Sequence, residues 1–478
     1  MQHTTVAVIG GGVVGACLLR ELARAGVPAT LLEAGDDVAT GASRANSSIC
    51  HAGFDPHPGT AMARHNVDGC AMMPGVCREL GVPFVANGAL VLAFGQADMP
   101  ALEELLARGR VNGVPGLEII GQERLRRMEP NVAPEATAAL YAPTSGLVCP
   151  YELAIAATEN AMTNGAGVLL NFRVTGAQKA NNRWTLTAAD GRQITAAHVV
   201  NTAGAGAGVV AEMLGEEPFA TTLRIGEYIL CDKTALCVTR TLFQLPTAAG
   251  KGVLVTPTPD GNLLLGPTSR ELSPTQAAGA PTGRLGLDQV VREARKTLPN
   301  LPLSAAITTF AGVRSVFADG DFRLWRSQKT NAVHAAGIGS PGLTAAPSLA
   351  LELIDLLREG GLQTPGNPTF NPVRPHQKRF AQMTSEERLA LAPDEAAVVC
   401  RCEMVTRAEV LRTLDSPLPP RSVDAVKRRT RAGMGRCQGG FCCSRIMEIL
   451  AQHQNKALQN ITKDGPGSPI MEGVIGHG

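Results

Sequence analysis

The sequence has no apolar run that approaches the roughly 18 residues needed to cross a membrane as a helix. It also lacks a strong charge bias, because 44 Lys and Arg residues are balanced by 42 Asp and Glu residues. A net charge of +2 argues against a nucleic-acid-binding protein. No basic segment precedes the first apolar run, so we expect no secretory signal. We predict a cytoplasmic protein, with peripheral attachment to the inner face of the cell membrane through a partner as the alternative.

Length and cysteine content indicate the number of domains and the state of the thiols. A chain of 478 residues, 44% of them apolar, can bury a large core and suggests about three domains. Twelve cysteines in such a chain indicate reduced thiols and a metal site more than a disulfide framework.

The stretch from Val6 to Glu33 predicts a strand, a glycine turn, a helix and a second strand. Gly10, Gly12 and Gly15 have the G-x-G-x-x-G spacing of a dinucleotide-binding turn. In that motif the first glycine permits the tight turn, the second lets the backbone approach a pyrophosphate, and the third allows close packing. Glu33 ends the second strand, where a carboxylate can bind ribose hydroxyls. This stretch predicts a dinucleotide site and by itself leaves NAD and FAD open.

Three later segments complete the predicted dinucleotide fold. A loop rich in small residues follows Glu33 and has His51 at its centre, which would let the backbone lie against a flat ligand. After a strand at 193–197, the run from His198 to Gly208 predicts an apolar strand that ends in small residues. The segment from Gly339 to Glu359 predicts a helix whose N-terminus faces a ligand. Strand-like runs between 228 and 265 predict a largely antiparallel second sheet.

Six segments carry a resemblance that spans the first 360 residues. They are Asn46–Phe54 (NSSICHAGF), Ser145–Glu152 (SGLVCPYE), Gly226–Ile229 (GEYI), Gly252–Pro267 (GVLVTPTPDGNLLLGP), Ala311–Arg314 (AGVR) and Ala336–Pro347 (AGIGSPGLTAAP). They resemble FAD-dependent dehydrogenases and oxidases of the D-amino-acid-oxidase-like superfamily. Within it, the L-2-hydroxyglutarate dehydrogenases and the type 2 glycerol-3-phosphate dehydrogenases and oxidases are most similar.

The C-terminal unit is similar to the [2Fe-2S] domain of bacterioferritin-associated ferredoxin. A unit of this kind is also appended to the A subunit of anaerobic glycerol-3-phosphate dehydrogenase. We therefore predict an α/β fold in which an FAD-binding, Rossmann-like, doubly wound domain is interleaved with an antiparallel-sheet substrate domain, followed by a small helical [2Fe-2S]-binding domain.

The predicted domain limits follow from the resemblance and, for the linker and the tail, from their proline and glycine content. We assign residues 1–364 to the FAD-dependent module, with FAD-binding parts at about 1–60, 145–215 and 330–364. The substrate domain takes about 61–144 and 216–329. A proline-dense linker occupies 365–397, the [2Fe-2S] domain 398–456, and a loose tail 457–478.

His51 is the predicted catalytic base. An imidazole, with a pKa near ~6.5, can take an alcohol proton close to neutral pH. The resemblance places the catalytic histidine in this segment. Two other roles stay open for His51: a hydrogen-bonded loop residue, and a point of covalent flavin attachment of the kind other superfamily members use.

Lys251 and Arg314 are the predicted anion clamps. A guanidinium can hold a carboxylate or phosphate with two hydrogen bonds, while an ammonium acts as a point charge. By resemblance, both cations face the substrate, and Ser340 lies near the flavin rim. A surface charge or a structural salt bridge is the alternative role for each cation.

The predicted FAD contacts combine the glycine turn, the small-residue loop, the strand that ends near Ala203 and the turn before the last helix. They are Gly10, Gly12, Val13, Val14, Gly15, Glu33, Ala34, Ala42, Ser43, Asn46, Ser47, Ser48, Val174, Ala203, Gly204, Gly337, Gly339, Gly342, Leu343 and Thr344.

Cys400, Cys402, Cys437 and Cys442 form the pattern C-x-C-x34-C-x4-C. Four thiolates can hold a [2Fe-2S] cluster or a tetrahedral zinc ion, and the spacing alone does not separate the two. The similarity to the ferredoxin domain favours the cluster. Cys443 is adjacent and is the alternative to Cys442 as the fourth ligand.

The same unit is basic, with eleven Lys and Arg against five Asp and Glu from residue 400 to residue 456. Its densest part is the run KRRTR at 427–431. Such a run can bind nucleic acid. We interpret it instead as a solvated face or as a docking patch for an acidic electron-transfer partner.

The resemblance implies a dehydrogenase that oxidises a small anionic hydroxy substrate, sn-glycerol 3-phosphate first, by hydride transfer to flavin. Electrons would then pass through the cluster to another subunit or a quinone-linked acceptor. L-2-hydroxyglutarate, or an amine or imino acid, is the alternative substrate. A non-catalytic electron-transfer subunit is the alternative function. We expect no nucleic-acid partner, and contact with a membrane only through a partner protein.

Overall fold

The computed structural model describes residues 2–246, 252–273, 281–393 and 395–473. Lys251, one of the two predicted anion clamps, lies outside the described residues. The strands of the described residues are β1 Gln2–Ile9, β2 Ala29–Leu32, β3 Ile49–Cys50, β4 Phe84–Val85, β5 Ala89–Ala93, β6 Glu118–Gly121, β7 Ala138–Ala142, β8 Gly146–Val148, β9 Gly167–Leu169, β10 Val174–Ala180, β11 Arg183–Ala188, β12 Gln193–Asn201, β13 Thr222–Cys231, β14 Thr241–Gln244, β15 Leu254–Pro257, β16 Leu263–Gly266, β17 Arg270–Leu272, β18 Ala306–Val316, β19 Arg323–Arg326, β20 Val333–Ala336, β21 Val398–Cys400 and β22 Val405–Thr406.

The α-helices of the described residues cover the sheets and build most of the C-terminal unit. They are α1 Val13–Arg24, α2 Ala61–Leu80, α3 Met99–Val111, α4 Gln122–Met128, α5 Pro150–Thr163, α6 Ala207–Met213, α7 Arg284–Thr297, α8 Gly342–Glu359, α9 Ser385–Leu389, α10 Arg407–Leu414, α11 Val423–Thr430 and α12 Cys443–Gln454. None of these helices is both long and apolar enough to cross a membrane.

The first sheet is centred on β1. Its strand order is β10-β11-β12-β1-β2-β9, with β20 beside β12 and β19 beside β20. β1 runs parallel to both neighbours, so Val6 lies opposite His198 in β12 and Ala29 in β2. The two strands expected at 193–197 and from 198 onwards are one strand, β12, because it pairs with β1 from Ile194 to Asn201.

Side chains alternate across β1, as they must in a pleated strand. Val6 and Val8 face a core formed with α1, α2, α5 and α8, while Ala7 and Ile9 face a second core with Trp184. Helices therefore cover the first face, and the β10–β11 hairpin and α6 cover the second. This is the predicted Rossmann-like, doubly wound layer, and the α/β fold class is confirmed.

Helix α2 differs from the expected domain division, which placed residues 61–144 with the substrate domain. Cys70, Met73, Cys77 and Leu80 of α2 are buried in the same core as α1 and α8. Since these side chains recur at helical spacing, their buried face follows from the sequence. Which layer that face packs against depends on the tertiary fold.

The second sheet has nine strands in the order β17-β13-β16-β15-β14-β5-β7-β6, with β18 beside β13. Its pairs are antiparallel except β14 with β5. Leu90 and Leu92 of β5 face one core, and Val91 faces another. Helix α7, which the sequence analysis did not identify, closes the first of these cores with Val290 and Ala294.

The C-terminal unit packs α10, α11 and α12 beside the small β21–β22 sheet. The segment expected to be a loose tail is ordered in its described part. Ile461 is buried in the core of this unit, and Thr462 forms a β-bridge with Pro469. Asp464 forms an ion pair with Arg44 of the first domain at 2.5 Å. The tail thus contacts both units, the C-terminal core through Ile461 and the first domain through Asp464.

The first part of the proline-dense linker, residues 366–374, is bound to the first domain. The backbone N–H of Gly366 donates to Ala25, and the Phe370 ring lies 4.5 Å from the Arg24 guanidinium. Arg374 pairs with the buried Glu159 at 2.6 Å. The linker therefore fixes the path of the chain from α8 to the C-terminal unit.

Candidate active site and cluster site

The glycine turn has the local geometry that the motif predicts. Gly10 has φ +109°, and a Cβ there would lie 2.6 Å from the Thr202 carbonyl oxygen. A Cβ on Gly15 would lie 2.1 Å from the Gly10 carbonyl oxygen. A Cβ on Gly12 would meet the Ser43 hydroxyl at 3.3 Å. The turn is thus a cradle without side chains at the N-terminus of α1, which suits a pyrophosphate.

Glu33 and Ser43 lie at the edge of this cradle. The Glu33 carboxylate accepts hydrogen bonds from the backbone N–H groups of Gly11 and Gly35, each at 2.7 Å. Burial raises the pKa of Glu33 despite these bonds. The Ser43 hydroxyl accepts the N–H of Val13 at 3.0 Å. A carboxylate that accepts hydrogen bonds from ribose hydroxyls, and a helix N-terminus that attracts phosphates, are the groups that a bound FAD requires here.

The other predicted FAD residues come from three further segments. Ala203 and Gly204 follow β12, and Ala203 would touch a Cβ on Gly10. The Val174 side chain is buried in the second core, so only the backbone of this residue can contact FAD. The remaining predicted contacts are Val14 in α1, Ala34 after β2, Ala42, Asn46, Ser47 and Ser48 before β3, and Gly337, Gly339, Gly342, Leu343 and Thr344 at the start of α8.

His51 follows β3 directly and is held from three sides. Its backbone N–H donates to the Thr344 hydroxyl at 2.9 Å, and its carbonyl accepts from Asn66 Nδ2 at 2.6 Å. Its Nε2 atom lies 3.3 Å from the Ser340 hydroxyl. The start of α8 therefore positions both the backbone and the imidazole. The structure brings the predicted pair His51 and Ser340 together.

A small cavity lies beside His51, and the sequence analysis missed most of its lining. The imidazole and the Phe243 ring have centroids 5.7 Å apart. The lining residues are His51, Phe54, Asp55, Val91, Phe243, Gln244 and Pro246. Phe243 and Gln244 lie a few residues before Lys251. This proximity to a predicted substrate-binding residue was the sequence signal that could have identified them as part of the site.

Arg314 lies near the end of β18 and is half-buried. Its Nη2 atom donates to the Thr268 carbonyl at 3.1 Å. Two residues earlier, Gly312 packs so closely on the loop before β3 that a Cβ would lie 2.0 Å from the Ala45 carbonyl oxygen. Tyr228, on the neighbouring strand, hydrogen-bonds Ser47 of that loop, and burial raises the pKa of Tyr228. Arg314 is thus joined to the His51 loop through β18.

The four predicted cluster cysteines form two pairs. The sulfurs of Cys402 and Cys437 are 3.6 Å apart. The Cys442 thiol hydrogen-bonds Cys400 and lowers the pKa of Cys400 to about 6. Two thiolates on one tetrahedral ion, with metal–sulfur bonds of about 2.3 Å, would be about 3.8 Å apart. The Cys402–Cys437 separation is close to this value, and the four cysteines together supply the thiolates that a [2Fe-2S] cluster would need.

Cys443 is set apart from the four cysteines. The charged groups that act on Cys443 are Lys463 and Asp424, whereas Cys400 and Cys437 act on Cys442.

We expect serine at Cys442 to abolish the cluster and serine at Cys443 to leave it in place. Thiolate ligands are required for an iron–sulfur cluster, and Cys442 is the one beside Cys400. The measurement is iron content per chain, with the visible spectrum of the purified holoprotein. Loss of iron in the Cys443→Ser variant, with retention in Cys442→Ser, would reverse the assignment.

The basic run at 427–431 is neither a solvated face nor a patch open to a partner. Arg428 is buried and the Arg429 side chain is only 4% exposed, and both form ion pairs with Asp37, which follows β2, at 3.0 and 2.7 Å. Arg431 pairs with Asp260 at 2.5 Å and with Glu403 at 2.8 Å. The interpretation from sequence was wrong because the carboxylates that neutralise these arginines are distant in the chain. The run is an internal contact that fixes the C-terminal unit on the flavin module.

Comparison with known proteins agrees with both halves of this arrangement. Residues 5–356 match the FAD dependent oxidoreductase family, and residues 398–452 match the BFD-like [2Fe-2S] binding domain. The chain belongs to the FAD dependent oxidoreductase family. It is an oxidoreductase whose cofactors are FAD and a [2Fe-2S] cluster, so the zinc alternative is set aside.

Three relatives extend the comparison. A glycerol 3-phosphate dehydrogenase of Caloramator mitchellensis is 39% identical over 98% of both chains. The anaerobic glycerol-3-phosphate dehydrogenase subunit A1 of Haloferax volcanii is 24% identical over 97% of this chain and 85% of its own. The solved structure of L-alpha-glycerophosphate oxidase from Mycoplasma pneumoniae, with FAD bound, has a TM-score of 0.74 and 27% identity, and covers 78% of this chain and 99% of its own.

Proposed function

We propose that this protein oxidises sn-glycerol 3-phosphate to dihydroxyacetone phosphate and passes the electrons on through its [2Fe-2S] cluster. The observation that carries the proposal is the His51 site, where an imidazole is pinned beside Ser340 at the N-terminus of α8. The glycerol 3-phosphate dehydrogenase relative, similar along the whole chain including the cluster unit, supports this choice of substrate.

His51 is proposed as the base that takes the proton of the substrate hydroxyl. Its Nε2 atom lies 3.3 Å from the Ser340 hydroxyl, so a hydroxyl group at this position is within hydrogen-bond reach of the imidazole. The backbone contacts to Thr344 and Asn66 keep the imidazole in place while the proton moves. FAD, when bound, supplies the acceptor for the two electrons that the substrate carbon loses.

Arg314 is proposed to hold the phosphate. Its bond to the Thr268 carbonyl leaves other N–H groups of the guanidinium for an anion, which a guanidinium can grip at two points. Since β18 contacts the loop before His51, the cation and the base belong to one region of the fold. Lys251 stays a predicted second clamp, and its assignment depends on the sequence alone.

A separate electron acceptor is part of the proposal. A flavin that reacted directly with oxygen would not need a cluster, so we assign a dehydrogenase activity in preference to an oxidase activity. The Haloferax volcanii relative is described as a subunit, which supports transfer to a partner subunit or a quinone-linked acceptor. The substrate itself is small and anionic.

The test is anaerobic reduction of the purified holoprotein by candidate substrates. We expect glycerol 3-phosphate to bleach the flavin absorbance and then to produce the electron paramagnetic resonance signal of the reduced cluster. Unphosphorylated glycerol is the matched control for the anion clamp, and L-2-hydroxyglutarate and glycine test the other substrate classes. If none of these compounds reduces the flavin, the proposed dehydrogenase activity is wrong, and a non-catalytic electron-transfer subunit is favoured.

A further inference from the structure

One edge of the cluster site faces outward, in contrast to the buried basic run. We call it the cluster rim: Arg401, Cys402, Arg436, Phe441 and Arg445, all of them exposed. We propose that the cluster rim is the docking surface for an acidic one-electron carrier protein. The inference rests on the proposed function, because that function requires electrons to leave through the cluster.

The two cysteine pairs differ in their access to solvent. Cys400 and Cys442 are each 1% exposed, whereas Cys402 is exposed and Cys437 is partly exposed. Electron transfer between proteins needs the two redox groups to come close. The Cys402–Cys437 pair is therefore the side of the cluster that an acceptor can approach.

Phe441 supplies an anchor at this edge. Its side chain is 80% exposed, although its backbone N–H donates to the Cys437 sulfur. Among the described residues from 398 to 456, it is the one large hydrophobic side chain that is exposed. Interfaces typically place an aromatic anchor at the centre of a polar rim. A ring on the cluster-binding loop thus marks a position at which a partner would be closest to the cluster.

The surroundings of Phe441 are positively charged. Residues 434–445 contain two arginines and no acid, and Arg401 lies between two cluster cysteines. The Arg436 guanidinium is paired with Asp232 at 2.9 Å. Among the described residues, Arg445 makes one long hydrogen bond, 3.5 Å, to the Val398 carbonyl oxygen and no ion pair. Arg401 and Arg445 therefore keep most of their charge for a partner, which must be acidic for complementary charges to meet.

The orientation of the rim is fixed by the rest of the chain. Ion pairs of Arg428 and Arg429 with Asp37 hold the unit on the flavin module. Lys233 of the substrate domain pairs with the buried Glu403 at 3.0 Å. Arg436 pairs with Asp232, next to Lys233, so the rim begins where the unit meets the substrate domain, and Arg401, Phe441 and Arg445 form its exposed part. A single exposed ring among guanidiniums suits an acidic protein better than an apolar quinone or a lipid surface.

The electron count of the proposal is balanced. Oxidation of one glycerol 3-phosphate breaks a C–H and an O–H bond, forms a C=O bond and releases two electrons and two protons. Two molecules of a one-electron carrier are reduced in turn at the rim. The protons leave to solvent.

The test uses the full-length holoprotein and three electron acceptors of different charge. Cytochrome b5 serves as an acidic carrier, cytochrome c as a basic one, and dichlorophenolindophenol as a small dye. We expect the rate of cytochrome b5 reduction to fall as salt is added. The double variant Arg401→Glu, Arg445→Glu should slow it about tenfold or more at low salt, because steering of this kind changes association rates by about 10 to 10³.

The same variant should reduce cytochrome c faster and the dye at an unchanged rate. Phe441→Ser should slow cytochrome b5 reduction at all salt concentrations, because it removes the anchor and no charge. The matched control is Arg126→Glu, Arg127→Glu, a charge reversal of the same size on α4, where both side chains belong to a different domain. It should leave all three rates unchanged.

Three outcomes would overturn the proposal. The first is that the rim variant slows reduction of the dye as much as reduction of cytochrome b5. The second is that the α4 control slows cytochrome b5 reduction equally. The third is a Phe441-dependent dimer in sedimentation, which would identify a second copy of the chain as the occupant of the rim. Photochemical reduction of the holoprotein with a deazaflavin supplies electrons without substrate. The rim variants can therefore be tested for electron transfer to the carriers even if glycerol 3-phosphate does not reduce the flavin. A failure of the proposed substrate is then distinguishable from a failure of the proposed docking surface.

Discussion

Replacement of His51 by alanine should slow flavin reduction by glycerol 3-phosphate by about 10² to 10⁴-fold, the usual contribution of a general base. The physical reason is that the substrate hydroxyl must lose its proton as the carbon gives up its electrons. The methyl group of alanine cannot accept a proton. FAD should remain bound, because the cradle at Gly10 and the contacts of Glu33 do not involve this side chain. Anaerobic stopped-flow absorbance measures the rate directly.

His57→Ala is the matched control for this variant. His57 is six residues further along the same loop, and its side chain is exposed, so flavin reduction should proceed at the wild-type rate. Ser340→Ala should have a smaller effect than His51→Ala, since Ser340 orients the imidazole and does not replace it. Acid precipitation of the wild type tests covalent attachment, because a covalent flavin would stay with the protein. Unchanged flavin reduction in His51→Ala would remove His51 from the mechanism.

Replacement of Asp37 by alanine should destabilise the attachment of the C-terminal unit by about 3–5 kcal/mol, the typical cost of breaking a buried ion pair from one side. Asp37 is 1% exposed and accepts hydrogen bonds from Arg428 and Arg429 at 2.7 to 3.3 Å. Without it, two guanidiniums are left buried with much less neutralising charge. Urea unfolding, followed through the visible absorbance of the cluster, measures the change.

Glu123→Ala is the control for the loss of one carboxylate. Glu123 pairs with Arg127 on the exposed face of α4, and such a surface pair contributes about 0–1 kcal/mol. A similar loss of stability in both variants would show that the buried Asp37 ion pairs contribute no more than a surface ion pair. Cluster reduction should also slow in Asp37→Ala if the fixed docking supports electron transfer.

The same ion pairs predict the direction of a pH effect. Burial raises the pKa of Asp37, but the Arg429 and Arg428 guanidiniums outweigh it, and the pKa lies below its ordinary value. A carboxylate with a lowered pKa in the folded state stabilises the protein above its unfolded pKa of about 3.9, and this contribution is lost as the pH falls through the folded value. Attachment of the unit should therefore weaken in acid in the wild type, and less so in Asp37→Ala.

Much of the flavin site could be predicted because its determinants are close together in the chain. The Gly10 and Gly15 positions and the acid at Glu33 belong to one strand–turn–helix–strand unit, and their spacing carries the prediction. The cysteine pattern likewise identified the thiols, although it left zinc open. Phe243 could not be placed beside His51 in this way, because Phe243 lies on β14 of the second sheet, whereas His51 follows β3, which is not part of that sheet.

The sequence by itself predicted the dinucleotide turn and the doubly wound class, since both follow from local periodicity and short spacing. It predicted the four thiols from their pattern together with the resemblance to the ferredoxin domain. Only the tertiary structure decided the role of the basic run. Arg428 and its partner Asp37 are 391 positions apart, and no local pattern records that pairing. A guanidinium has the same appearance in a sequence whether its counter-ion is solvent, a partner protein or a buried carboxylate. The fold supplied the carboxylate, so we place the proposed docking surface at the exposed edge of the cluster and not at that run.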